Sequence, residues 1–180
     1  MSPEEFDTLR FPIGPFEIPQ SMSEQQLNQC ISEIEIFPNF IRKETAHLSD
    51  TQLDTVYRPD GWTIRQVVHH CADSHMNSFT RFKLTLTEDT PIIKPYFEDR
   101  WAELVDSTLP VEPSLRMIEG IHQKWVAILR SLSVNEVKKG FNHPEHGRII
   151  PLFENVAMYS WHCKHHLAHI TTLKKNKDWK

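Results

Sequence analysis

The chain has 180 residues, of which 39% are apolar and 24% charged, enough for one globular domain with a sizeable core. A formal net charge of −4 without a strong lysine and arginine cluster excludes an electrostatic footprint for nucleic acid, and no apolar run is long enough to span a bilayer. Three scattered cysteines, Cys30, Cys71 and Cys163, fit neither a disulfide framework nor a thiolate zinc site, and the first residues lack the basic and apolar regions of a secretory signal, so residues 1–180 are expected to form one cytoplasmic domain.

Residues 1–22 read as an extended arm: Pro12, Gly14, Pro15 and Pro19 block regular structure, while Phe11, Ile13, Phe16 and Ile18 alternate as if laid along a surface. Residues 23–180 read as a helical bundle. Ser23 and Gln26 have the form of a capping box, and Leu27, Cys30, Ile31, Ile34 and Ile36 follow at helical spacing. Pro38 is expected to break or kink this helix, which reaches a polar stop at Ser49-Asp50. Tyr57 to Trp62 is a turn by composition. Thr63 and Gln66 form a second capping box and open a run free of glycine and proline until Pro91. On this long helix Ile64, Val68, Cys71, His75, Phe79 and Phe82 make one apolar stripe, which turns His75 toward the core. His70, Ser74, Asn77 and Arg81 form a polar row beside it, suited equally to lining a cleft and to a solvated helix side.

Residues 89–113, with Pro91, Pro95, Pro110 and Pro113, read as a long crossover connection. A third helix follows, with Leu115, Ile118, Ile121, Trp125, Ile128, Leu129 and Leu132 at helical spacing and His122 expected at the surface or partly packed. Gly140 to Pro151 reads as a loop or short hairpin carrying His143 and His146. The last helix runs from about Leu152 to Lys175, and Lys174, Lys175, Lys177 and Lys180 make a solvated basic end.

That last helix concentrates the chemistry, with His162, His165, His166 and His169 inside eight positions. His162 and His166 stand one turn apart on one face, the spacing at which two imidazoles hold one metal ion. His169 lies on that side, and His165 turns further toward solvent. His69, His70 and His75, about ninety residues earlier, offer a third ligand from another helix, and periodicity alone does not rank them. Cys163 follows His162, so the glutamate of H-E-x-x-H is absent and a zincin protease is disfavoured.

The arm Phe11-Pro-Ile-Gly-Pro-Phe16, the segment from Gln52 to Asn77 containing Tyr57-Arg-Pro-Asp-Gly-Trp62 and Val67-Val-His-His70, then Arg81-Phe-Lys-Leu84 and the terminal histidine helix resemble the YfiT group of the DinB-like superfamily. The resemblance covers nearly the whole chain. It implies an all-α fold, a four-helix bundle with a long crossover, and one divalent metal ion per chain, nickel or zinc, near one end. It implies as ligands the second histidine of Val-Val-His-His, His70, together with His162 and His166. Cys71 stands where the group usually has leucine.

With His70 as a ligand, Ser74, Asn77, Arg81 and His169 become expected lining residues of a substrate cleft, and His69, His75 and His165 become neighbours able to orient ligands or carry protons. The resemblance also implies a homodimer and a small-molecule substrate. Two activities follow from it: metal-dependent hydrolysis, and S-transfer of a low-molecular-weight thiol to an electrophile, with Arg81 placed to hold a carboxylate of that thiol. A structural or sensing metal in a binding protein is the non-catalytic alternative.

Overall fold

Helix starts in this protein are set by side chains that cap the first free amides. The computed structural model describes the backbone of residues 3–179 and the side chains of residues 7–179. Met1 and Ser2 of the predicted arm and Lys180 of the basic tail lie outside the described residues. Pro3–Arg10 forms a helix, α1, so the arm is not extended throughout. Proline suits a first helical position, nothing breaks the run before Pro12, and Arg10 complements the dipole in the last turn. Residues 11–22 are irregular, and the Gly14 carbonyl accepts a bond from the Trp161 indole N–H at 3.1 Å.

The first long helix, α2, spans Glu24–Thr45 behind a complete Ser23–Gln26 capping box and buries Ile31, Ile34, Phe37 and Ile41. It continues through Pro38 rather than breaking there. Pro38 has no N–H for the carbonyl of Ile34 one turn earlier; that oxygen instead accepts a bond from His122 Nδ1 at 2.7 Å, so it is not left unpaired. The expected stop at Ser49 is a second complete capping box, with Gln52, which starts the one-turn helix α3, Asp50–Leu53.

Thr63 and Gln66 cap α4, Ile64–Thr87, as the sequence predicts. The crossover holds a short helix, α5, Glu98–Trp101, and a 3-10 turn at Val105–Thr108. It leads to α6, Glu112–Ser131, with a proline in its first turn. Strands β1, Gly140–His143, and β2, Arg148–Pro151, form an antiparallel hairpin in which Gly140 faces Pro151. A Cβ at Gly140 would come within 2.7 Å of the Ile150 carbonyl oxygen, so the strands approach this closely only with glycine there. The chain ends in α7, Leu152–Asn176.

The four long helices form a four-helix bundle. α2 packs against α6 and α7, and α4 packs against the same two, so successive helices α2 and α4 stand on a diagonal. Its core takes Ile34 and Phe37 from α2, Val68 and Phe82 from α4, Ile118 and Trp125 from α6, and Val156 and Ile170 from α7. Lys174 is buried rather than solvated: its ammonium donates to the Glu44 carboxylate at 2.7 Å and to the Glu44 carbonyl at 3.2 Å. Among the described residues no helix is long and apolar enough to cross a membrane.

Candidate metal centre

Because α4 and α7 are neighbours, the second turn of α4 meets the middle of α7, and His70 faces His162 and His166. One ring nitrogen from each of the three lies within 4.8 Å of the others. Nε2 of His70 and Nε2 of His162 are 3.2 Å apart. Two nitrogens bound tetrahedrally to one zinc-sized ion stand about 3.3 Å apart, so this pair fits shared coordination without rebuilding. His166 Nδ1 is buried and has no hydrogen-bond partner among the described groups, so packing holds that ring. Trp62, at the end of the turn before α4, supplies that packing, with ring centroids 4.6 Å from His70 and 6.5 Å from His166. The turn reaches it through Asp60 at φ 54°, a left-handed conformation that aspartate tolerates.

The remaining predicted site residues separate into groups. Ser74 reaches the centre: its hydroxyl lies 3.1 Å from the Tyr159 hydroxyl and 3.5 Å from His162 Nε2. His75 is in the core, as its position in the apolar stripe predicts, yet it touches the centre, with Nε2 3.1 Å from His162 Nδ1. His165 is buried rather than turned to solvent, stacked on Trp161 with Phe11 of the arm nearby. His169 stacks on Tyr57 and donates through Nε2 to the Arg10 carbonyl at 3.1 Å.

Four residues depart from expectation. His69 points to the other side of α4, between the Ser114 hydroxyl at 2.7 Å and the Leu109 carbonyl at 3.0 Å, and takes no part in the centre. Asn77 bonds back to the Asp73 carbonyl of its own helix, and Arg81 reaches toward the Lys94 carbonyl of the crossover. Neither lines the pocket, because seven and eleven residues along a helix carry them roughly 10 and 16 Å from His70. His122, expected at or near the surface, is 2% exposed.

Above the three histidines opens a pocket of about 640 Å³. His70, Ser74, His162, His165, His166 and His169 form its polar part, and Tyr57, Trp62, Tyr96 and Trp161 its aromatic walls. Arg10, Asp60, Glu98 and Asp99, all exposed, line it toward solvent. The sequence reading missed Arg10, Tyr57, Trp62 and Tyr96 as site residues. The turn Tyr57 to Trp62 immediately before the helix that carries His70 was the available signal for two of them; α1 and the crossover carry no local one.

Burial dominates the electrostatics. It lowers the His70 imidazole to about 4, with help from His169, and holds His162 and His166 well below their ordinary value, helped by their histidine neighbours. His169 falls to about 4 and His165 to about 3, again chiefly through burial. At neutral pH the cluster is therefore uncharged and its free lone pairs are available to a cation. Burial also raises the Tyr159 phenol. The arrangement can take a divalent ion on three imidazoles and leave its fourth side open to the pocket.

The sequence model of the DinB superfamily matches residues 39–170. The chain belongs to the DinB superfamily. Its DinB relatives include a protein from Oceanobacillus iheyensis, 49% identical over 170 residues that cover 94% of this chain and 98% of that one, and a protein from Bacillus cereus, 52% identical over 171 residues that cover 95% and 98%. Both carry the name "Putative metal-dependent hydrolase". Among solved structures, YfiT from Bacillus subtilis, described as a probable metal-dependent hydrolase with an unusual four-helix bundle topology, superposes with a TM-score of 0.93 at 45% identity over 96% of this chain and 99% of that one. The chain falls in this DinB-like YfiT group. A mycothiol-dependent maleylpyruvate isomerase shares the fold more distantly, with a TM-score of 0.64 and 16% identity over 80% and 60% of the two chains.

Proposed function

We propose that His70, His162 and His166 hold one divalent metal ion, nickel or zinc, and that the protein is an enzyme acting on a small electrophilic substrate in the pocket above them. The observation that carries this reading is the convergence of three uncharged imidazoles from two helices at the floor of a pocket. Such an ion supplies Lewis acidity, ionising a nucleophile at neutral pH, water in hydrolysis or a thiol in S-transfer. The chain's own residues do the rest. Trp62 and Trp161 exclude water from the histidines and offer flat faces to a substrate. Tyr159 donates to the Ser74 carbonyl at 3.0 Å, so its oxygen accepts the Ser74 proton and the Ser74 lone pairs are left toward the centre.

Hydrolysis is the reading that the relatives' names support. S-transfer of a low-molecular-weight thiol is the second reading, favoured by the side chains beside the histidines, which are a serine and aromatic rings, while Asp60, Glu98 and Asp99 lie out at the exposed wall. A thiol held by such an ion would ionise at neutral pH, releasing its proton to solvent without a carboxylate base, and the exposed charges at that wall suit a small charged thiol. The free cysteines fit a reducing, cytoplasmic setting, and a homodimer is the assembly proposed by resemblance.

Elemental analysis of the purified protein is expected to give about one divalent ion per chain and none in His70→Ala with His166→Ala; equal metal in the variant refutes the site. With metal bound, turnover of activated esters without thiol supports hydrolysis. Consumption of monochlorobimane only in the presence of bacillithiol supports S-transfer. Neither activity in the loaded protein would leave the non-catalytic alternative standing.

A further inference from the structure

A line of hydrogen bonds crosses all four long helices and ends on a histidine of the candidate centre. The Ile34 carbonyl of α2 meets His122 Nδ1 of α6 at 2.7 Å; His122 Nε2 meets His75 Nδ1 of α4 at 2.7 Å; His75 Nε2 meets His162 Nδ1 of α7 at 3.1 Å. The carbonyl is available because residue 38, whose amide would otherwise bond it, is proline.

A carbonyl only accepts, so the proton between it and His122 belongs to Nδ1. His122 and His75 are 2% and 0% exposed and packed against Phe37 and Trp125, an environment that opposes a charged ring, so each holds one proton. His122 Nε2 is then a bare lone pair and must accept from His75 Nδ1–H. His75 Nε2 is bare in turn and accepts from His162 Nδ1–H. The series leaves His162 Nε2, the atom 3.2 Å from His70 Nε2, without a proton and facing the centre. The opposite polarity would set the lone pair of His122 against the Ile34 oxygen.

We propose that His122 and His75 are positioning residues of the metal centre: anchored on the carbonyl that Pro38 frees, they fix the tautomer and ring orientation of His162 so that its Nε2 is presented as a ligand. The inference rests on the reading of His70, His162 and His166 as the metal site. It assigns a role to His122, which lies two residues deep behind that site, and to Pro38, which touches none of it. Outer partners of ligand histidines typically contribute about 10- to 100-fold to metal affinity.

The test uses the full-length protein loaded with zinc. Long-range 15N–1H spectra of the imidazoles are expected to show both His122 and His75 protonated on Nδ1. Competition with a chromogenic chelator is expected to show zinc affinity reduced about 10-fold or more in His122→Phe and recovered in His122→Gln, whose amide can donate to Ile34 and accept from His75. A proton on Nε2 of either His122 or His75 overturns the inference, and so does wild-type affinity in a folded His122→Phe protein. If that variant does not fold, the tautomers of the wild-type rings decide alone. Failure of the site reading looks different: zinc would then bind equally well to the wild type and to His166→Ala, whatever the tautomers of His122 and His75.

Discussion

Acidification from pH 7.5 to pH 5 should destabilise the metal-free protein. His70 and His122 have ordinary values of 6.5, and burial lowers each to about 4. Their depressed folded-state values mean that the unfolded chain binds more protons between pH 6.5 and 4, so stability is full above that window and is lost as pH falls through it. For a shift of this size the loss between pH 7.5 and pH 5 is about 2 kcal/mol per histidine, roughly 4 kcal/mol for the two. His75, His162 and His166, held well below 6.5 chiefly by burial, act in the same direction. Asp73 opposes it: burial and then Asp106 raise its carboxyl to about 6, so its protonation on the way to pH 5 favours the folded chain. Glu33 and Glu112 are shifted below 4.5 and change little in this window. Urea unfolding of chelator-treated protein, followed by far-UV circular dichroism at pH 7.5 and pH 5, measures the difference. Equal midpoints and slopes at the two pH values would refute the claim that these rings are buried without charge.

Phe82→Ala is expected to lower unfolding free energy by about 3–5 kcal/mol, because the ring is fully buried and packs edge-on against Trp125 at 5.5 Å; calorimetry on the folded variant checks it. Arg65→Met should be milder. The guanidinium of Arg65 ties the first turn of α4 to Asp54 at 2.6 Å and Asp50 at 2.8 Å, but both aspartates are exposed and stay solvated when it is lost, so a decrease of about 1–2 kcal/mol is expected in the same measurement.

What could be read from sequence was local or periodic. Thr63 and Gln66 announce α4, and the spacing of His162 and His166 survives unchanged in α7, because capping and helical pitch depend on residues a few positions apart. The bundle and the choice of His70 over His75 came from family resemblance. What escaped depended on partners far along the chain. Pro38 leaves α2 intact because His122, 88 residues beyond Ile34, takes up the freed carbonyl. His122 looks like a surface residue until His75 and Phe37 enclose it. Asn77 and Arg81 share a helix side with His70, but the pocket ends after Ser74. Ser49 and Gln52 form a capping box that is local in sequence, but the helix it starts is a single turn with no apolar period to mark it.

The placement of the three proposed ligand histidines also orders events during synthesis. His70 emerges 92 residues ahead of His162, whose Nε2 faces its own at 3.2 Å, and His166 comes later still. At about 5–20 residues per second, several seconds pass in which a nascent chain offers one of the three imidazoles and no pocket floor. Because α7 is made after both α2 and α4 and packs against them, an ion held by these three residues would have a complete seat only once these helices have met. Metal uptake by this chain would thus be a mark of finished folding rather than a nucleus for it.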